Sequence, residues 1–301
     1  MKSNQIQNKH LLWRAAFGPL TENIPALDNT STSDLLDLIL KSSFKKPGDL
    51  RVVNGTFDGL VEAVKEAGQM QKLTKEDTRK IRQQSAQDIK SLNLTWLDEM
   101  TNSNAQLREK MSLFWHGHFS CRVVNIFYQQ DLLNIIRSNA LENFGDLLRE
   151  VSKSAAMLSF LNNQQNRKQH PNENFAREVM ELFTMGRGNY TEEDIRESAR
   201  AFTGWGFNLG GEFVFRKNLH DDGQKTFLGK TGNFDGDDII DIILSQKATS
   251  KFLTRKIYKF FVNEDINEDH VDFLAEKYYQ SNYNTGQLLK EIFRSSWFYD
   301  K

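Results

Sequence analysis

The fold is decided by residues 105–136, AQLREKMSLFWHGHFSCRVVNIFYQQDLLNII, and by residues 144–161, FGDLLREVSKSAAMLSFL. Apolar residues recur there at intervals of three and four positions, which is the period of an amphipathic helix. The pattern predicts helices over Ala105–Phe119, Val124–Ile136 and Phe144–Leu161. Three consecutive helices in the middle of the chain indicate a mainly α protein.

The same period extends outward in both directions from this stretch. It predicts further helices over Ile6–Phe17, Leu35–Leu40, Thr74–Met100, Asn172–Met185, Thr191–Phe202, Asp237–Leu244, Ala248–Val262, Glu268–Gln280 and Thr285–Phe298. Residues 162–170, rich in Asn and Gln, are expected to form an exposed connection. The period shortens only over residues 205–229, where glycines cluster and EFVFR at 212–216 alternates like a strand, so one small β-hairpin is expected there. We therefore expect a single compact, mainly α, multi-helix domain over residues 1–301.

Composition and charge exclude several classes of protein. The 301 residues carry 39 basic and 40 acidic side chains, so the chain lacks the one-signed basic field that captures nucleic acid or anionic membrane. One predicted helix holds Lys251, Arg255, Lys256 and Lys259, but this stripe alone does not change that expectation, and no nucleic-acid partner is predicted. Cys121 is the only cysteine, which excludes an intramolecular disulfide.

Targeting signals are missing from the sequence as written. No apolar run reaches the roughly 18 residues that a membrane-spanning helix needs, and residues 1–8 are polar, without the apolar core of a signal peptide. We expect no membrane partner and a cytoplasmic location. A processed or trimmed N-terminus would instead be compatible with export.

The first candidate site is the histidine block, residues 114–119, FWHGHF. On a continuous helix, residues two apart point about 200° away from each other, so His116 and His118 could share a metal only if the backbone were extended. Gly117 would permit such an exit from the helix. The alternative is that one histidine is hydrogen-bonded in an aromatic core while the other lies at a helix end.

The second candidate site is the glutamate helix, residues 172–184, NENFAREVMELFT. Glu178 and Glu181 lie one turn apart, and two such carboxylates could hold a cation or divide acid and base roles between them. Arg177 could neutralise an anionic substrate. The alternative is an ordinary amphipathic surface helix stabilised by a Glu173–Arg177 pair, and spacing alone favours it.

The third candidate site is the glycine-rich loop, residues 220–229, HDDGQKTFLG. His220 beside Asp221, on a loop that a helical scaffold holds, is typical of a functional position. Lys225 could bind an anion. The alternative is a simple turn at Asp222 and Gly223, which does not account for His220.

In this order and at these intervals, the three candidate sites resemble a bacterial family known as domain of unknown function 1800. The resemblance also covers HLLWRAAFGP at 10–19, NYTEEDIRE at 189–197 and AFTGW at 201–205. Gly117 departs from the asparagine usual in the family, which weakens any side-chain role at that position.

The resemblance implies no reaction and no catalytic residues. It does imply that relatives are often exported and often encoded beside proteins of the alkaline phosphatase superfamily, which would imply a partnership with a hydrolase. Longer relatives continue with helical sequence after the segment that matches Phe293–Tyr299. We therefore expect this chain to be a short form or a fragment without that extension.

Two functions follow from the sequence and stay open. The first is a metal-dependent hydrolase in which zinc, manganese or iron activates a bound water. Its metal ligands would be His116, His118 and His220 with Asp221, Glu178 or Glu181. The second is a non-catalytic helical module that binds a partner protein or a saccharide. The 22 phenylalanines and five tryptophans are consistent with the second, because aromatic side chains dominate both cores and contact surfaces.

Overall fold

The structure, a computed structural model, describes residues 3–19, 21–52, 75–208 and 210–300, and it is mainly α as predicted. Its helices are α1 (Ser3–Ala15), α2 (Thr32–Ser43), α3 (Lys75–Asn102), α4 (Gln106–His118), α5 (Ile126–Asn139), α6 (Phe144–Lys153), α7 (Ala155–Phe160), α8 (Glu173–Glu178), α9 (Glu192–Ala201), α10 (Gly236–Leu244), α11 (Lys247–Phe261), α12 (Glu268–Gln280) and α13 (Thr285–Arg294). Helix α8 continues into a π-helical turn, Val179–Thr184, and short 3₁₀ turns cover Thr21–Asp28, Asn163–Gln165, Lys217–Leu219 and Ser296–Tyr299.

Local side chains set several helix ends. Thr191 caps α9, because its hydroxyl accepts from the Asp194 amide while the Asp194 carboxylate accepts from the Thr191 amide. The predicted helix over residues 144–161 is instead two helices. Ser154 ends α6 and caps α7 through its hydroxyl, which accepts from the Met157 amide. Thr74, where the charged helix was expected to begin, lies outside the described residues.

The β excursion contains two antiparallel hairpins where one was predicted. Strands β1 (Trp205–Phe207) and β2 (Phe213–Phe215) form the first, and β3 (Lys225–Phe227) and β4 (Lys230–Gly232) form the second. Leu228 and Gly229 have φ of 47° and 77°, as a tight two-residue hairpin loop requires. This second reversal, which the sequence pattern did not reveal, is the reason for two hairpins.

Two clusters of buried hydrophobic side chains lie between the helices. The larger cluster joins buried side chains from Leu11 to Phe298, and a smaller one packs α3 against α5 around Trp96. Beside the smaller cluster, Glu109 is fully buried, accepts from the Trp96 indole at 2.9 Å and pairs with Arg137 at 2.7 Å. Arg137 also donates to the Gly48 carbonyl, and so fixes the segment after α2 against α5.

The polar connection at 162–170 is only partly exposed, which corrects the prediction. Asn163 and Asn166 are almost fully buried. The Asn163 amide donates to the carbonyls of Phe202 and Trp205, and the Asn166 amide donates to that of Ala199. Buried polar groups need such partners, so these asparagines tie the connection to the end of α9.

The basic stripe on α11 is matched by carboxylates on and near α12. Lys251 pairs with Asp272, Arg255 with Glu268 and Lys259 with Glu264. The sequence feature that most resembled a nucleic-acid surface therefore consists largely of paired charges. Among the residues described, no helix combines the length and the apolar character needed to cross a membrane.

Candidate functional site

The histidine block lies on an unbroken helix. Helix α4 runs through Gly117 to His118, so the extended exit predicted at Gly117 is wrong. As a result the two histidines diverge. The His116 ring packs against Trp96, with ring centroids 5.2 Å apart, whereas His118 faces the end of the π-helical turn.

Both ring nitrogens of His118 are hydrogen-bonded within the fold. Nε2 lies 3.0 Å from the Phe183 carbonyl, which can only accept, so this nitrogen carries the proton. Nδ1 then accepts from Lys256 Nζ at 3.2 Å, and the same ammonium donates to the Leu182 carbonyl. Burial, reinforced by the Lys256 charge, lowers the pKa of His118 to about 3. His118 is therefore neutral and, with Lys256, satisfies carbonyls at the end of the π-helical turn. No sequence signal pointed to Lys256.

The glutamate helix directs most of its charges to partners within the fold. Arg177 bonds to Glu173 at 3.2 Å, as the amphipathic alternative expected, and to Glu192 of α9 at 2.9 Å. Glu181 accepts from Arg187 at 2.6 Å and from the Tyr190 hydroxyl at 3.3 Å.

Glu178 differs from its neighbours on this helix. It has no hydrogen bond or ion pair to any other residue that the structure describes. Partial burial and the Glu181 charge raise its pKa. A carboxylate with a raised pKa is a stronger proton acceptor than an ordinary glutamate.

The glycine-rich loop is fastened to α9 by ion pairs and hydrogen bonds. Arg200 grips both carboxylate oxygens of Asp221, at 2.7 and 3.2 Å. Lys225 is 1% exposed, and its ammonium donates to the carbonyls of Asp221 and Gly223. The Glu197 carboxylate accepts from the Thr226 amide at 2.9 Å. Asp221 and Lys225 thus hold the loop in place and have little capacity left for a substrate.

His220 keeps one nitrogen without a partner. Its Nδ1 lies 2.9 Å from the Thr203 carbonyl, so this nitrogen is the donor, and its ring packs edge-on against Phe215. Within the described ranges, Nε2 has no hydrogen-bond partner. A histidine whose Nδ1–H bonds a backbone carbonyl presents the lone pair of Nε2, as many metal-binding histidines do.

The structure brings the three candidate sites next to one another without merging them. The histidine block contacts the π-helical turn. Arg177 pairs with Glu192 at the start of α9, whereas Asp221 pairs with Arg200 near its end, about 12 Å further along the helix axis. No group of three His, Cys, Asp or Glu side chains able to hold a metal ion occurs among the residues described. His116, His118, His220 and Asp221, the predicted metal ligands, are thus not gathered into one such group within the described ranges.

A concave site that the sequence did not predict lies elsewhere. It is a cleft of about 740 Å³, lined by Asp49 and Arg51, by residues 127–135 of α5, by residues 149–154 and by residues 210–213 of the β1–β2 turn. A smaller cavity of about 450 Å³ shares Arg149 and Glu150 with it, so the two adjoin. The cleft is lined by none of the eight predicted residues.

Two side chains in the cleft have polar groups without partners in the part of the chain that the structure describes. Tyr128 and Asp131 lie one turn apart on α5, and neither makes a side-chain hydrogen bond or ion pair to the described part of the chain. The Tyr128 ring rests edge-on against Phe207 at 5.3 Å, and burial raises the pKa of its hydroxyl. Asp131 reaches solvent but lies in the concave wall, where burial and the charges of Asp49 and Glu150 raise its pKa.

The other charged groups of the cleft are engaged. Arg149 pairs with Asp241 and Lys153 with Asp237, and neither carboxylate belongs to the cleft lining. Glu150 accepts from the Asn139 amide at 2.8 Å, and Glu212 accepts from the Asn208 amide at 2.7 Å. These four side chains are thus bonded within the fold, in contrast to Tyr128 and Asp131.

Comparison with known proteins identifies the family and no more. Neither the curated proteins nor the solved structures include a match to this chain. One family model matches residues 10–301, nearly the whole chain. The resemblance seen in the sequence is confirmed, and the chain belongs to the family described as "Protein of unknown function (DUF1800)".

Proposed function

We propose that this protein is a non-catalytic saccharide-binding module whose site is the cleft between α5, α6 and the β1–β2 turn. The observation that carries the proposal is the pair Tyr128 and Asp131. Their polar groups face a concave site and have no partner among the described residues, whereas most of the polar atoms in the three motif sites are bonded within the fold. Groups that the fold leaves unpaired in a cavity are the ones available to a ligand.

The chemistry of the lining favours a ligand rich in hydroxyl groups. A sugar hydroxyl both donates and accepts, so it can bond a tyrosine hydroxyl and a carboxylate at once. Pockets for drug-like molecules are mostly apolar, but this cleft carries charged and amide side chains on most of its walls. The adjoining cavity at Arg149 and Glu150 would give room for more than one sugar unit.

The partner that the family resemblance implies fits a binding role. A hydrolase of the alkaline phosphatase superfamily would supply the reaction, and this chain would hold the saccharide. For an exported chain, such saccharides would be those outside the cytoplasm.

The test is a binding titration of an oligosaccharide library against the wild type and two matched variants. Tyr128→Phe removes the unpartnered hydroxyl, and we expect it to weaken binding by about three- to tenfold, the worth of one hydrogen bond. Tyr190→Phe removes a hydroxyl that bonds Glu181 in the glutamate helix, and it should leave affinity unchanged. Absence of any saccharide binding, or loss of binding only in Tyr190→Phe, would overturn the proposal.

A second candidate, a metal-dependent hydrolase, is favoured by one observation at His220. Its Nε2 lone pair is presented as a metal ligand would be, and Glu178 offers a second uncommitted group. A metal ion bound by His220 and Glu178 would need further ligands besides these two. Metal analysis of tag-free protein, before and after His220→Ala and Glu178→Gln, tests it. Substoichiometric metal in the wild type would end this candidate.

A further inference from the structure

The charges of the cleft distinguish among saccharides, and the inference drawn from them rests on the saccharide binding proposed above. Three carboxylates of the cleft lining lie close enough for their charges to interact at Asp131. Asp49 approaches from the segment after α2, Asp131 from α5 and Glu150 from α6. Burial and the negative charges of Asp49 and Glu150 raise the pKa of Asp131. Asp131 is the only one of the three without a hydrogen bond or ion pair to a described residue.

The basic side chains of the cleft do not offset this charge. Arg149 and Lys153 are turned toward Asp241 and Asp237 outside the lining, and Arg51 lies 3.8 Å from Asp49, with both side chains largely exposed. Glu212 adds a further carboxylate from the β1–β2 turn. A ligand that enters the cleft therefore meets a carboxylate, Asp131, that no basic side chain of the described residues pairs with.

We propose that the cleft selects saccharides that carry a protonated amino group, and that Asp131 is the residue that binds this group. An ammonium next to Asp131 would form a charge-assisted hydrogen bond and relieve the repulsion from Asp49 and Glu150. The Tyr128 hydroxyl, one turn away, would bond a neighbouring hydroxyl of the same sugar. A neutral N-acetylated sugar would keep the hydroxyl contacts but lose the ion pair, and an acidic sugar would be repelled.

The experiment compares oligomers of glucosamine and of N-acetylglucosamine of equal length, by calorimetric titration at about pH 6, where the amine is mostly protonated. We expect the wild type to bind the amino form about tenfold more tightly. Asp131→Asn keeps the shape and removes the charge, so the two oligomers should then bind alike. Asp265→Asn, at an exposed position whose carboxylate has no described side-chain contact, should retain the preference.

The outcomes separate this inference from the proposed function. Equal binding of both oligomers by the wild type would overturn the amino-group preference and leave saccharide binding standing. Binding of neither would also overturn the amino-group preference, and the proposed function would fall with it only if the oligosaccharide library showed no binding either. A preference that persists in Asp131→Asn would mean that another charge binds the amine, which also contradicts the inference. If Asp131→Asn lost all binding, Glu150→Gln would decide, because the inference requires it to reduce the preference while affinity for the acetylated form is kept.

Discussion

The glycine-rich loop and the cleft are both polar, yet they differ in where their hydrogen bonds go. In the loop, Asp221 pairs with Arg200, and Lys225 donates to backbone carbonyls. In the cleft, Tyr128 and Asp131 have no partner among the residues described. The polar side chains of the loop therefore stabilise the fold, whereas Tyr128 and Asp131 are available to the ligand that we propose for the cleft. Polar residues concentrated in a motif can serve structure alone.

The largest effect is expected at His118, in the histidine block, whose ring nitrogens are bonded within the fold like the charges of the loop. We expect His118→Ala to lower the free energy of unfolding by about 3 kcal/mol, because it opens a space among aromatic rings, leaves the Phe183 carbonyl unpaired and removes one of the acceptors of Lys256. His116→Ala, two residues away on the same helix, removes mainly a contact with Trp96 and should cost about 1 kcal/mol. Urea unfolding of both variants measures the difference, and equal losses would contradict a structural role specific to His118.

The pH dependence of the wild type gives an independent readout of His118. Its folded-state pKa, about 3, lies below the ordinary value of 6.5, so below that value the unfolded chain binds a proton that the folded protein does not. The contribution of His118 to the free energy of unfolding is complete above about pH 6.5. It declines as the pH falls toward 3, by up to about 1.4 kcal/mol per pH unit. His118→Ala should lack this acid-dependent component, and an unchanged profile would show that His118 is not its source.

A smaller effect is expected at the fastening of the loop. Arg200→Ala removes the ion pair with Asp221 and the donor to the Gln224 carbonyl, and should cost about 2 kcal/mol, less than a fully buried pair because both side chains stay partly exposed. Arg196→Ala, on the same helix, removes only an exposed pair with Glu193 and should change little. Thermal unfolding compares them. Saccharide affinity should survive Arg200→Ala in the folded protein, and its selective loss would move the binding site to the loop.

The smallest effect has the opposite sign and lies in the cleft. Asp131→Asn should raise the free energy of unfolding by up to about 0.5 kcal/mol near neutral pH, because it removes a charge that repels Asp49 and Glu150. The raised pKa of Asp131 means that the folded protein binds its proton more tightly than the unfolded chain. Wild-type stability from this group therefore falls as pH rises through the folded-state pKa, and the advantage of the variant should grow over the same range. A destabilised variant would show that Asp131 serves the fold.

The helices could be predicted from the sequence because their determinants are local. The apolar period predicts the bounds of most helices to within a few residues. Thr191 and Asp194 have the spacing of a capping box, which indicates the start of α9. The second hairpin escaped prediction because Leu228, a residue that rarely takes positive φ, occupies its loop.

The site could be predicted only as far as its groups are local. The sequence marked His118 and Asp221, but their partners lie 138 and 21 residues away, so their roles depended on the tertiary fold. The walls of the cleft come from four separate segments, so no local pattern in the sequence predicted it, although Tyr128 and Asp131 lie on the predicted helix Val124–Ile136.

Hydrogen–deuterium exchange with and without the tightest-binding oligosaccharide is the most direct test of the claim that ligands bind at the uncommitted cleft. The account predicts added protection in α5, in residues 144–154 and in residues 210–215, with residues 172–190 and 220–229 unchanged. Protection confined to residues 172–190 and 220–229 would contradict it and return the function to the motif sites.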